Sequence, residues 1–386
     1  SCNRTTGATP SSASSMDKPV KFKSGKSAKN RFCVAALTNC QSNPDGTLHE
    51  REAVWLERRA KDGWGIVTSC CVHVQANGKG WEGELGNFGD QHTAGYAVIA
   101  KRVQAHGALF IVQIFHAGMR ADDKLIEGPA RSAVDTEYRH RGGVRPAKGM
   151  TEAEVEQCIA AFVAAAKRCD EAGADGVEIH GAHGYILTQF LCPDLNKRED
   201  KWGGSLENRA RMTREVCRQI RAACREDFIV GIRLSPEPGY EKAGWNMDPD
   251  EIIQVAKWVV EDGCDYVSIS IMAYSPHHIT AKHKDLPDAK PLGKCFREAL
   301  PSDVVLMMCG GIKSAKDVED VLEQGVDIAV AGKTAISTPD FPQQCIADKS
   351  FQVSVMPPYT PEFLQTVDVS PPFVDFMRSI GMVTKD

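Results

Sequence analysis

The chain has 386 residues, 42% of them hydrophobic and 25% charged, with a formal net charge of −5. That length fits one large barrel or two ordinary domains. The slight acid excess with no basic block gives nucleic-acid binding no electrostatic support, and no apolar run is long enough for a helix to span a membrane. Fourteen cysteines are scattered, Cys70 and Cys71 are adjacent, and no Cys-x-x-Cys occurs. This argues against zinc ribbons and iron–sulfur clusters and for a reducing compartment such as the cytoplasm. Cys33, Cys70 and Cys309 sit in strand-like runs and read as core thiols. Residues 1–20, rich in Ser, Thr and Ala, read as a disordered segment, open to being the remnant of a targeting peptide.

Residues 21–386 read as one folded unit. Residues 30–39, NRFCVAALTN, form an expected first strand with Thr38 near its end. Residues 65–71, GIVTSCC, form a second strand. Tyr96, Ile99, Ala100 and Val103 follow helical spacing, and residues 108–113 form a third strand with Gln113 at its end. Residues 118–150 lack periodicity, and so long a connection is expected to be functional, here a cover over the active face. Thr151 and Glu154 make a capping box for a helix with Val155, Ile159, Phe162, Val163 and Ala166 on its buried face.

A fourth strand at residues 177–179 runs into His180, His183 and Tyr185. Two imidazoles and a phenol on one loop, at the C-terminal end of a strand, suit chemistry at a carbonyl. Ring N–H groups can converge on an oxygen where negative charge develops, and the phenol can give a proton. Ser205 caps the next helix. Residues 228–234 are a fifth strand carrying Arg233, and Asp248-Pro249 opens another helix. Strands follow at 266–271, 304–309 and 327–331. The last two end in Gly310-Gly311 and Gly332-Lys333, each before a helix, where backbone N–H groups would hold a phosphate. Eight alternations of strand and helix predict a single α/β domain, a (β/α)8 TIM barrel with the long loop after strand 3 as cover and an irregular, proline-rich tail from residue 352.

The stretch HGAHGYILTQFLCPDLNKREDKWGGSLENR, from His180, closely resembles the signature of the old yellow enzyme family, the flavin-dependent ene-reductases. His180, His183, Tyr185, Gln189, Pro193, Asn196, Arg198, Asp200 and Gly203 fall in register, and Trp202 stands where tyrosine is usual. The His/His pair is typical of one large branch. QIFHAG, from Gln113, is a second match. The resemblance implies FMN, held non-covalently, and reduction by NADH or NADPH. It places Ala36, Leu37, Thr38 and the Cys71 turn beside the flavin, Gln113 on its ring and Arg233 against its N1/O2 edge. It puts the phosphate on Gly310, Gly311, Gly332 and Lys333. Alanine replaces the usual proline at Ala36, Cys70-Cys71 replaces Glu-Gly, and Lys333 replaces an arginine, keeping the charge but losing the bidentate fork.

The implied function is reduction of α,β-unsaturated carbonyl compounds, enones and enals, with phenols as ligands. His180 and His183 hold the oxygen and Tyr185 protonates the α-carbon. Two rivals carry their own tests. A metal-dependent barrel hydrolase using His180 and His183 would be colourless, although no third ligand stands out and no metal site is assigned. A flavin protein without turnover would have no use for Tyr185. Monomer and homo-oligomer are equally open.

Overall fold

The computed structural model describes residues 15–140, 143–236, 247–271 and 290–384. Eight parallel strands close into a barrel in chain order: Phe32–Val34, Ile66–His73, Leu109–Phe115, Gly176–Gly181, Ile229–Leu234, Tyr266–Ser270, Val305–Cys309 and Ile328–Ala331. Each is buried along nearly its whole length, the near-continuous apolar run expected of strands covered on both faces. Helices lie between consecutive strands, among them Glu50–Lys61, Thr93–Gln104, Glu152–Glu171, Leu206–Ala223 and Pro249–Glu261. The helix Glu152–Glu171 begins with the expected capping box and buries Val155, Ile159, Phe162 and Ala166 against the barrel wall. Val155, Ile159 and Phe162 each contribute roughly 1.5–3 kcal/mol on burial.

Side chains alternate between the two faces of a strand, so register decides what fills the barrel. Cys33, Ile66, Ile111, Ile229, Tyr266, Val305 and Ile328 make an apolar inner floor. A hairpin of Val20–Lys21 and Ser27–Ala28 plugs the floor from below, and Phe22 meets Tyr266 edge-on at 6.0 Å. Two residues further along the third and fourth strands the interior turns polar, with Gln113 and Glu178. Above these come His180, Arg233, Ser270 and Cys309. The barrel interior therefore gathers its buried polar groups toward one end, the C-terminal end of the strands.

Four expectations change. The first strand stops at Val34, so Ala36, Leu37 and Thr38 lie in the loop beyond it. The second strand runs on past Cys71 to His73, with a register shift between Thr68 and Cys71. Residues 118–150 are not a bare loop. They carry a small sheet of Ala130–Ser132, Thr136–His140 and Gly143–Gly149. Its outer face is exposed, which leaves no strong apolar alternation to read. Part of the stretch 1–20 expected to be disordered is ordered: Ser15–Asp17 forms a turn of helix that buries Met16, and Val20 pairs with Ala28. Residues 1–14 lie outside the described residues. None of the described helices is long and apolar enough to cross a membrane.

The tail is stitched to the barrel. Arg59, fully buried, donates to the carbonyls of Ala335, Ile336 and Val367 and lies 4.1 Å over the Trp55 ring. Trp55 in turn meets Phe373 on the last helix, Pro371–Ser379.

Candidate active site

His180 is the penultimate residue of the fourth strand, and His183 and Tyr185 lie on the turn that follows. His183 adopts a left-handed backbone, φ +60°, beside Gly184 at +75°. A bulky residue holds that conformation only when its surroundings insist on it. Here Arg120 donates to the His183 carbonyl and both ring nitrogens are engaged. Nδ1 lies 3.2 Å from His180 Nε2, and Nε2 lies 2.8 Å from Ser270 Oγ.

One proton order is compatible with this row from its first member onward. Arginine has only donors, so Arg233 Nη2 donates to Ser270 Oγ, 3.0 Å away. The serine hydroxyl can then donate to His183 Nε2, which leaves His183 Nδ1–H to donate to His180 Nε2. His180 Nδ1, at the end of the row, is buried with no hydrogen-bond partner among the described residues. Burial holds both imidazoles well below their usual pKa. The neighbouring His183 and the charges of Arg233 and Arg120 add to this at His180, and the two arginines add to it at His183. The pair is neutral, and the positive charge of the site resides on the arginines.

The expected pair is thus brought together, but its nitrogens face one another rather than converging on an outside atom. A substrate oxygen would have to replace the bond between the rings. Tyr185 is half-buried, its ring 5.1 Å from that of His180 and edge-on to Phe115 at 4.9 Å. The Arg120 guanidinium lies 4.7 Å over the Tyr185 ring and 5.9 Å from Tyr138 of the covering sheet. Both tyrosines line a cavity of about 600 Å3, with Thr38, Trp81 and Arg120. A cavity of about 710 Å3 beside Phe88 and Arg168 holds none of these groups.

Gln113 is buried. The shift in the second strand gives its N–H a side-chain acceptor, Ser69 Oγ at 3.1 Å, and its Nε2 donates to Glu178 Oε1 at 2.7 Å. Cys71 is its neighbour in register, with a thiol that burial keeps protonated. Gly310 and Gly311 follow the seventh strand, Gly311 in a left-handed conformation (φ +63°) that favours glycine. Gly332 and Lys333 follow the eighth. Thr334 Oγ1 donates to the Ile312 carbonyl at 2.5 Å and ties these two loops together. Leu37 lies over Gly332, bringing the loop after the first strand to the same place.

Three features escaped the sequence reading. Ser270 links Arg233 to the histidines, and a hydroxyl at the end of the sixth strand was the available signal. Arg120 holds the His183 turn, and it stands two residues after the HAG of QIFHAG. Phe376 and Ile380, on and just beyond the last helix, wall the cavity beside Tyr185, and nothing local in the tail announces this. The far half of the signature is structural. Asn196 donates to the carbonyls of Phe190 and Trp202, and Arg198 to those of Ala133 and Met150, anchoring the base of the cover.

A guanidinium, a carboxamide and a ring of small-residue loops at one barrel end match what a flavin ring edge and a phosphate require. Comparison with known proteins agrees. Residues 15–350 match the profile of the NADH:flavin oxidoreductase / NADH oxidase family. The chain belongs to this family, that of the old yellow enzymes.

It is 33% identical to a "Probable NADH-dependent flavin oxidoreductase" of Bacillus subtilis, over 84% of this chain and 85% of that one. It is 28% identical to an NADPH dehydrogenase of Clostridium acetobutylicum, over 87% and 96%. An old yellow enzyme homologue from Zymomonas mobilis shares the fold, with a TM-score of 0.78 at 23% identity over 94% of this chain and 99% of that one. The protein itself is an NAD(P)H-dependent flavin oxidoreductase with FMN as its cofactor, which sets aside the metal-hydrolase reading of His180 and His183.

Proposed function

We propose that the protein is an ene-reductase acting on α,β-unsaturated carbonyl compounds. The observation that carries this reading is a neutral imidazole pair, backed by two arginines, with a phenol 5.1 Å from the nearer ring. Neutral imidazoles donate hydrogen bonds without surrendering a proton, so they favour a carbonyl oxygen that becomes an enolate over one that becomes an alcohol. Opening of the His180–His183 hydrogen bond would present His183 Nδ1–H to that oxygen, and a shift of the His180 proton from Nδ1 to Nε2 would supply the second N–H. FMN, when bound, stores the electrons taken from NADH or NADPH and supplies the hydride.

The remaining tasks fall to the chain. Gln113 and Arg233 would hold the ring edge, with Ala36, Leu37, Thr38 and the backbone at Cys71 around it. Gly310, Gly311, Gly332 and Lys333 would hold the phosphate, without a covalent bond. Tyr185 would give its proton to the substrate α-carbon, and Arg120, over its ring, stabilises the phenolate left behind. The covering sheet and the last helix exclude water from the cavity.

Tyr185→Phe tests the assignment, because it keeps the ring and removes the hydroxyl. Loss of a positioned acid costs ~10²–10⁴-fold. Stopped-flow traces should show that loss when an enone reoxidises the flavin, with little change when NADPH reduces it. Equal slowing of both half-reactions would reduce Tyr185 to a packing role, and an unchanged enone rate would remove it from the mechanism.

A further inference from the structure

Glu178 has no part in the chemistry above, yet it lies at the centre of the barrel. It sits on the inner face of the fourth strand, one layer beneath His180, and is 5% exposed. A buried carboxylate is costly unless it is hydrogen-bonded and paired. Gln113 Nε2 donates to one oxygen at 2.7 Å, and the Tyr266 hydroxyl donates to the other at 3.1 Å. Burial raises its pKa, and the charge of Arg233 works against that rise. Register explains the meeting. Glu178 is flanked by Gln113 on one side and Gly231 on the other, and Gly231 has no side chain to keep the Tyr266 ring away.

This arrangement has two consequences for the strand ends. An ionised carboxylate only accepts, so it dictates which end of the Gln113 amide points down. Nε2 is drawn toward Glu178, which leaves Oε1 and the second N–H for whatever binds above. A flavin's pyrimidine edge carries both a donor and acceptors and can use that fixed pattern. The same negative charge also lies near Arg233 and subtracts from the positive field that the guanidinium projects onto the ring.

We propose that Glu178 is a positioning residue for FMN: it locks the Gln113 amide in one orientation and moderates the field of Arg233, and so sets the flavin's reduction potential. The inference rests on the assignment of Gln113 and Arg233 to the flavin ring.

The test uses FMN-loaded protein and two variants. Glu178→Gln keeps the shape, removes the charge and frees the amide to turn over. Its midpoint potential should rise, with the reduced form favoured at least tenfold, equivalent to about 30 mV for a two-electron couple. Glu178→Asp keeps the charge but withdraws the carboxylate by one methylene. Its oxidised-to-reduced equilibrium should stay within threefold of the parent, while FMN binding should weaken at least tenfold. A role in packing alone would lower the melting temperature without moving the potential.

An unchanged or lowered potential in folded, FMN-bound Glu178→Gln overturns the proposal. So does parental FMN affinity in Glu178→Asp, which decides the matter alone if the glutamine variant does not fold. Gln113→Leu and Arg233→Met keep the two readings apart. If neither changes FMN affinity or potential, the ring-edge assignment itself fails, whatever Glu178 does.

Discussion

Gly231→Ala adds one methyl group at the most crowded point of the barrel interior. The new Cβ would lie 2.0 Å from Cε1 and Cζ of Tyr266 and 2.4 Å from Cε2. Carbon atoms rest about 3.5 Å or more apart, so the ring would have to retreat by roughly 1.5 Å. It has no room, because it is 1% exposed and Phe22 packs against it. It is also tied to Glu178 through its hydroxyl. Overpacking costs about 1–3 kcal/mol. Breaking a hydrogen bond to a charged group adds roughly 1.5–3 kcal/mol. The variant should therefore lose about 2.5–6 kcal/mol, a large share of the ~5–15 kcal/mol that holds a typical domain together. Urea titration followed by far-UV circular dichroism would measure it. The same glycine substitution in a Tyr266→Leu background should cost at least about 2 kcal/mol less, because the two sites are in contact. A loss below about 1 kcal/mol, or an equal loss in both backgrounds, would refute the packing argument.

Replacing His180 and His183 together by alanine should abolish the spectral shift that phenols induce in the bound flavin while leaving the protein yellow; normal phenol binding by that variant would move the anion site elsewhere. Heating should release the cofactor as free FMN, and finding FAD or a flavin that stays with the polypeptide would contradict a phosphate site built from Gly310, Gly311, Gly332 and Lys333. Stability should fall as pH drops from 6.5 toward 4, because burial lowers the pKa of His73 to about 3, His116 to about 3 and His92 to about 4. The unfolded chain then binds protons that the native state refuses, and each histidine alone would cost about 2 kcal/mol at pH 5. Glu84, whose pKa burial raises, lies against His73 and works in the opposite direction, since its native carboxyl keeps a proton that the unfolded one releases above about pH 4.5. Denaturation midpoints at pH 7.5 and 5 should still differ by more than one histidine's share, and equal midpoints would mean that these rings are not buried neutral.

The barrel was legible because its strands obey simple local rules. Short apolar runs follow helix-ending glycines such as Gly173, and caps such as Thr151 and Ser205 mark where helices begin. The groups proposed to react were legible for a related reason. His180, His183 and Tyr185 stand at a strand end, where an apolar run has no reason to place them. What stayed hidden depends on register between distant segments. Glu178 and Tyr266 are 88 residues apart and meet only because Gly231 leaves a gap between them. Ser270 is an ordinary hydroxyl until Arg233 and His183 are placed beside it. Thr38 moved into a loop because the first strand ends early, and the covering sheet was invisible because its exposed strands need no apolar alternation.

The cavity beside Tyr185 takes none of its walls from a barrel strand. Thr38 comes from a loop, Tyr138 from the covering sheet, and Phe376 and Ile380 from the end of the chain. The groups assigned to the flavin stand instead on strands, or on loops laced to one another. Two kinds of change are therefore open to this protein over evolutionary time. Replacements at Phe376 or Ile380 can reshape the space offered to a substrate while Gln113 and Arg233 keep their partners. Replacements on the strands alter the electron chemistry and the stability of the core together. A lineage can diversify its substrates quickly on such a plan while its redox behaviour stays fixed.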